Sequence, residues 1–474
     1  MTGGGFAASV RRIVPLAWPV FVGQLAVLGF STVDTVLVAR HSAPDLAALA
    51  VGSAAFVTVF IGLMGVVLAV SPIVGQLYGA RRLDEAGRQL HQAVWLAIGL
   101  SVLGSTLLVF PAPFLALSQA GPEMASKVRG YLLALAFSLP ASLLFTAYRG
   151  FNTAVSRPKA VMALQVGGLA LKVPLSLCLV SGVPALGLPA LGVQGCGIAT
   201  LIAMWAQAIA AYVVLRRDRF YAPFSLGGHG LARPDAASLR ALLKLGVPMG
   251  LAILIEVTGF AFMAIFIARL GETPVAGHQI AANLVALLFM MPLGLANATA
   301  TLVAQRIGAE DWRDARRLGR HGVQLALLVA LAMGGAVYLL RGEVVRLYTS
   351  NPAVIAAALP LLAWVALFHA ADAVQTAAAF VLRAWRIATA PLVIYALALW
   401  GVGLGGGYWF AFATPAFVPS SWQGAPGFWG ASTAGLAVAA AGLSAFLALV
   451  HRAKRREAAS LRPPPEAGPH PPAG

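Results

Sequence analysis

Apolar and polar positions fall in long blocks along this chain. Twelve apolar runs, at about 13–38, 46–76, 92–117, 129–150, 160–182, 190–215, 245–270, 277–304, 322–341, 354–381, 389–412 and 430–451, are separated by shorter polar segments. Each run supplies the ~20 residues that a helix rising ~1.5 Å per residue needs to cross ~30 Å of hydrocarbon. The ~10-residue alternating segments of a membrane β-barrel are not part of the pattern. The blocks therefore predict an all-α polytopic membrane protein with twelve transmembrane helices. The first run follows "MTGGGFAASVRR" without a small-residue cleavage site behind a short apolar core, so it is expected to be a retained span rather than a signal peptide. The tail 457–474, "EAASLRPPPEAGPHPPAG", is Pro-rich and expected to be disordered.

Composition agrees: 59% of residues are hydrophobic and 10% charged, against roughly 25% charged in soluble proteins. The net charge of +17 points to nucleic acid only until its distribution is read. Of 33 Lys and Arg, 26 fall at the N-terminus, in every second loop and at the C-terminus; six fall in the alternate loops, and the last is Lys172. By the positive-inside rule both termini are then cytoplasmic, which requires an even number of spans. The charge is topological, with anionic lipid headgroups rather than nucleic acid as its partner. Cys178 and Cys196 both lie in apolar runs and suggest no disulfide framework.

The chain also repeats itself. At a constant offset of 229, residues 19–88 align without a gap to 248–317, matching Pro19 with Pro248, Phe60 with Phe289, Gly65 with Gly294, Gln76 with Gln305, and Gly79-Ala80 with Gly308-Ala309. "YRGFNTAVSRPKAVM" and "VLRAWRIATAPLVIY" correspond with the offset shifted by a few residues. Six spans return the chain to the same side, so the halves are parallel repeats, one of the standard plans of secondary transporters, with the substrate site between them. The expected organisation is a lobe at 1–215, a cytoplasmic linker at 216–244, and a second lobe at 245–456.

Only three of the sixteen Asp and Glu lie well inside apolar runs: Asp34, Glu256 and Asp372. Each costs at least ~2–3 kcal/mol at the bilayer centre, so each is a functional candidate. Glu256 is twelve residues from Lys244 and Asp372 eleven from Arg383. That puts both ~16–18 Å from the cytoplasmic side, where they can meet at one level. Two carboxylates in a poorly solvated cavity share a proton or bind a monovalent cation. The alternative is a structural role, each bonded to Ser, Thr or Asn of a neighbouring helix. Asn283 and His278, in "AGHQIAANLVALLFMMPLG", are candidates for such bonds or for completing a cation site.

The stretches "STVDTVLVAR", "SPIVGQLYGARR", "YRGFNTAVSRPK", "GVQGCGIAT", "LIEVTGFAFMAIFIARLG", "AGHQIAANLVALLFMMPLGLANATATLVAQRIGA" and "HAADAVQTAAAFVLRAWR", in this order, resemble the multidrug and toxic compound extrusion (MATE) family, NorM-like branch, over about residues 10–455. The resemblance implies two pseudo-twofold-related six-helix lobes, alternating access, and export of lipophilic, often cationic compounds driven by inward Na⁺ or H⁺. It implies no further cofactor. Glu256 and Asp372 match the family's second-lobe cation site, and Asp34 the carboxylate of its first helix. Three departures stand out: "KVPLS" places Lys172 and Ser176 where amide side chains are usual, Phe368 replaces a tyrosine, and Arg386-Ile387 replaces a Lys-Asp pair. The depth count leaves the relation of Lys172 to Asp34 open. Asp34 is twenty-two residues from Arg12 but Lys172 only thirteen from Lys159, a nominal ~13 Å apart. Either Pro15, Pro19 and Pro174 bend the helices until the two pair, or Lys172 snorkels or faces an aqueous cavity.

Gln279, His278, Phe289 and Phe368 are candidate lining of a substrate cavity. Most tryptophans, Trp429 among them, are expected in interface belts or packing, and His321 at a solvated span end. The expected protein is a monomer of the bacterial cytoplasmic membrane. The competing class is a flippase for lipid-linked saccharides, which related folds perform. An intramembrane enzyme is disfavoured, because the chain has no His-Glu-x-x-His or Gly-x-Ser-x-Gly.

Overall fold

The computed structural model describes residues 5–460 apart from 119–120, 185–186, 227–229, 414–418 and 420–421. Most of the Pro-rich tail lies outside the described residues, although its first residues continue a helix to Ser460. Among the described residues, twelve helices are long and apolar enough to span a membrane: α1 (Phe6–His41), α2 (Ala43–Gly79), α3 (Leu83–Val109), α4 (Pro122–Ala154), α5 (Pro158–Ser181), α6 (Val193–Arg217), α7 (Ala236–Ala268), α8 (Glu272–Gly308), α9 (Trp312–Tyr348), α10 (Pro352–Ala384), α11 (Thr389–Ala413) and α12 (Ala425–Lys454). The chain is an integral membrane protein. Hydrocarbon offers no hydrogen-bonding partner, so a spanning backbone must satisfy itself as helix. Prolines inside α1, α4, α5, α7, α8 and α10 are the points where these helices bend. Gly401, Gly403 and Gly405 lie in a π-helical part of α11, Ala396–Gly405, and Gly406 and Gly407 in the α-helical turn that follows; the wider π turns commonly accompany functional sites.

Helices α1–α6 pack into one lobe and α7–α12 into a second, and the seam between them is made by α1 against α8 and by α2 against α7. An apolar core of Ile13, Ala17, Leu295, Ala298, Ala326 and Ala377 crosses this seam. The repeat is visible in the backbone itself. Of the five non-glycine residues with positive φ among the described residues, four form two pairs at equivalent turns: Arg81 (60°) with Glu310 (59°), and Ser156 (62°) with Arg386 (57°).

At the basic face the lobes are joined by two equivalent contacts. Gln76 Nε2 donates to the carbonyl of Ala384, the last residue of α10, at 2.8 Å. Its counterpart Gln305 donates to the carbonyl of Ala154, the last residue of α4, at 2.7 Å and to Ser156 Oγ at 2.8 Å. Gly79 and Gly308 let the two chain segments touch: a Cβ on Gly79 would lie 1.9 Å from the carbonyl oxygen of Gln305, and one on Gly308 1.8 Å from that of Gln76. Arg12 of α1 adds an ion pair to Asp314 of α9 at 2.8 Å, with Arg306 and Arg317 also on that carboxylate.

The connection between the lobes is less free than its polarity suggested. Residues 219–224 form a 3₁₀ turn whose Tyr221 and Phe224 are buried in the first-lobe core. Tyr221 Oη donates to Asn152 at 2.6 Å, and Arg157 pairs with Asp218 at 2.6 Å. From Ala236 onward the connection is already α7, capped by Asp235.

Candidate functional site

Glu256 from the middle of α7 and Asp372 from the middle of α10 come together, as their equal depths allowed. A third residue joins them. Gln375, one turn after Asp372 on the same face of α10, directs its amide Nε2 to Glu256 Oε1 at 2.9 Å, to Asp372 Oδ1 at 2.9 Å and to Thr376 Oγ1 at 3.0 Å. The amide is oriented by Tyr395 of α11, whose hydroxyl donates to Gln375 Oε1. Asp372, Gln375 and Tyr395 are buried and Glu256 is half-buried. Neither carboxylate makes an ion pair among the described residues, although the Arg383 guanidinium is within Coulombic range of Glu256. Two carboxylates thus share one neutral amide inside the helix bundle, an arrangement that is costly while both are ionised.

Asn283 does not join this cluster. It is exposed, and its Oδ1 faces Gln279 Nε2 one turn away at 3.5 Å. Gln279 is likewise exposed and Phe289 half-buried. His278 lies on the opposite side of α8 and is buried; its Nδ1 accepts from the indole N–H of Trp429 at 3.2 Å. Phe368 packs in the same aromatic group, with ring centroids 5.3 Å from Trp429 and 6.1 Å from Phe260. His278 and Phe368 are therefore packing residues behind the carboxylate pair rather than an open cavity wall. Trp429 is fully buried rather than in a belt. His321, expected at a solvated end, is buried and bonded to Ser9 at 2.8 Å.

In the first lobe Asp34 and Lys172 pair directly. Lys172 Nζ donates to Asp34 Oδ2 at 2.8 Å and to Thr200 Oγ1 at 2.6 Å, and sits 4.8 Å from the centre of the Phe30 ring. Lys172 is 1% and Asp34 5% exposed. The depth count went wrong in its ruler. Lys159 Nζ lies 5.8 Å from the Trp18 ring, so the basic end of α5 is level with Trp18, whereas Arg12 reaches out to Asp314. Counted from Trp18, Asp34 is sixteen residues deep against thirteen for Lys172, a difference of about 4–5 Å that the lysine stem covers.

A sequence profile of the family described as MatE matches residues 19–178 and 248–409, one stretch in each lobe. The chain belongs to the MatE family. Among relatives of this MatE chain, a "Probable multidrug resistance protein NorM" of Aromatoleum aromaticum is 41% identical over 421 residues, covering 89% of this chain and 90% of the relative. "Multidrug resistance protein PmpM" of Pseudomonas aeruginosa is 34% identical over 422 residues, 88% of each. Solved MATE structures share the fold: the Vibrio cholerae transporter VcmN in its bent form superposes with a TM-score of 0.82 at 19% identity, over 95% of this chain and 99% of that one. The eukaryotic transporter AtDTX14 also gives 0.82, at 18% identity over 96% and 99%.

Proposed function

We propose that this protein exports lipophilic organic cations across the bacterial cytoplasmic membrane by alternating access, in exchange for an inward-moving cation that binds at Glu256 and Asp372. The observation that carries the reading is the carboxylate pair itself: two acids, one bridging amide and no paired base, placed where unneutralised charge is most costly. Such a pair is stable when loaded with a cation, and its loading is sensitive to any movement that changes the separation of α7 and α10. The orientation of Gln375 favours a proton over Na⁺ as the ion. It presents Nε2 to the carboxylates while Oε1 is engaged by Tyr395, whereas a hard cation requires oxygen ligands.

The orientation in the membrane follows from charge, with both termini and the linker cytoplasmic. The contacts at Gln76, Gln305, Gly79 and Gly308 then close the cytoplasmic side, leaving the cleft between the lobes to open outward. Exposed amides at membrane depth, such as Gln279 and Asn283, face that aqueous cleft rather than lipid. Multidrug resistance is in the names of the relatives, which supports organic drugs as the cargo class. The similarity covers both lobes, which supports a site and a cleft built from the two together.

The test is export of a fluorescent organic cation by purified protein in liposomes under an imposed H⁺ or Na⁺ gradient. Wild type accumulates dye with one gradient and loses that response as Glu256→Gln or Asp372→Asn. Normal transport by both variants places the ion site elsewhere.

A further inference from the structure

The two lobes are related by a repeat, yet their intramembrane charges are not. In the second lobe two carboxylates face one neutral amide. In the first, one carboxylate faces one ammonium, and every strong donor of that ammonium is spent within the protein: on Asp34 Oδ2, on Thr200 Oγ1 and against the Phe30 ring. The first site is therefore electrically complete as it stands, while the second lacks at least one positive charge. Asp34 Oδ1 takes no bond from Lys172, and the Ser176 hydroxyl and Cys196 thiol face this carboxylate. With Lys172 in place, a second cation beside Asp34 would meet its like charge within a few ångströms, an arrangement strongly disfavoured where water is excluded.

We propose that Lys172 is the fixed counter-cation of the first lobe, occupying at Asp34 the place that a mobile ion takes at the second-lobe pair and so confining ion coupling to Glu256 and Asp372. The inference rests on the coupling role assigned to that pair, and it makes Lys172 a residue that determines how many ion sites the transporter has. A tethered ammonium also gives the first lobe a charge that cannot leave with the ion gradient. Cargo entering near Asp34 then meets a neutralised carboxylate. The groups facing Asp34 from the surrounding helices are Lys172 and Ser176 on α5, Cys196 and Thr200 on α6, and Tyr131 on α4. Of these only Lys172 carries a full charge to oppose a cation.

The test uses thermal unfolding of the purified full chain, a readout independent of transport. In the Glu256→Gln/Asp372→Asn background the second-lobe site is removed. With Lys172 intact, the unfolding temperature is expected to be the same in Na⁺ as in choline at equal ionic strength, and unchanged by Asp34-dependent proton uptake. Adding Lys172→Asn, or Lys172→Met as a second uncharged variant, frees Asp34. The chain is then expected to gain a saturable upward shift in unfolding temperature with Na⁺ or with lowered pH. That shift should vanish when Asp34→Asn is added. Lys172→Arg, which keeps the charge, should show no response. The proposal is overturned if the uncharged variants respond to neither ion, or if the gained response survives Asp34→Asn. It is overturned without any Lys172 variant if the Glu256→Gln/Asp372→Asn protein already shows a cation response that Asp34→Asn abolishes. Failure of the coupling reading would appear differently, as absence of gradient-driven export by wild type.

Discussion

Replacing Gly308 by alanine should hold the basic face between the two lobes open. The new Cβ would stand 1.8 Å from the carbonyl oxygen of Gln76 and 2.6 Å from its carbonyl carbon, where ordinary contact begins at about 3.4 Å. The obstacle is backbone from the opposite lobe, so no side chain can turn aside and the segments must separate by more than 1 Å. That movement carries Gln76 Nε2 away from Ala384 and Gln305 Nε2 away from Ala154, now 2.8 and 2.7 Å apart, beyond useful hydrogen-bonding distance. At ~0.5–1.5 kcal/mol each, the closed state loses about 1–3 kcal/mol, a roughly 5- to 150-fold shift in the closed-to-open ratio. Gly79→Ala should act the same way through Gln305, and the double variant should add little, because both break one shared contact. Spin labels at Asp84 and Arg313, exposed equivalent positions just beyond the contact, report the separation in a Cys178→Ser background. The expected result is a longer distance component together with reduced export. Gly99→Ala, which meets open space, is the control. If Gly79→Ala and Gly308→Ala export and give the same distances as this control, the contact is not a gate.

Other expectations follow from single contacts. Tyr395→Phe leaves Gln375 Oε1 buried without a donor, a loss of ~1–3 kcal/mol, and should lower coupled export roughly tenfold while export down a simple drug gradient persists; equal loss of both refutes a role in orienting the amide. Trp429→Phe removes the donor to His278 Nδ1 and should lower the unfolding temperature by the equivalent of ~1–2 kcal/mol with no change in drug affinity, since that group is packed behind the site. Arg12→Ala should cost less than ~1 kcal/mol, because this side chain is one-third exposed and Asp314 keeps Arg306 and Arg317; a large fall in the unfolding temperature contradicts this. The Asp218 carboxyl in the linker is held below the usual range by the backbone N–H of Phe220 and by Arg157. Its stabilisation of the 219–224 turn is therefore complete above the ordinary carboxylate range and is lost as pH falls through the lowered value. The protection of that turn against hydrogen exchange, relative to the intrinsic rate at each pH, should fall at acidic pH in wild type and already be low at neutral pH in Asp218→Asn.

The spans, the repeat and the carboxylate pair were legible in the sequence because charge inside an apolar run is costly and therefore rare. Glu256 and Asp372 announce themselves by that cost, and their equal distances from basic span ends put them at one level. Gln375 and Tyr395 gave no such signal. A neutral amide and a phenol in an apolar helix are common, and only the packing of α7, α10 and α11 shows that both aim at the acids. Asn283 was a plausible partner by type, but it lies with Gln279 on another face of α8, and the amide at the pair came instead from Asp372's own helix. The Asp34–Lys172 contact was obscured by taking Arg12 as a depth marker. The first turns of α1 run past the end of α5 to meet Asp314, and a span-end charge that reaches toward the other lobe measures the wrong level. The linker misled for a related reason: its composition is polar, but Tyr221 and Phe224 are enough to dock it on the first lobe.

Antiport of the kind proposed requires that cargo binding displace the cation held at Glu256 and Asp372. It is tested most directly by adding an organic cation to the purified protein in a weakly buffered detergent solution and recording pH. The account predicts proton release that saturates with drug binding in wild type, and drug binding without proton release in the Glu256→Gln/Asp372→Asn protein. Drug binding that releases as many protons from the double variant as from wild type, or that releases none from wild type with Na⁺ both present and absent while the drug still binds and is exported along an H⁺ gradient, would contradict it.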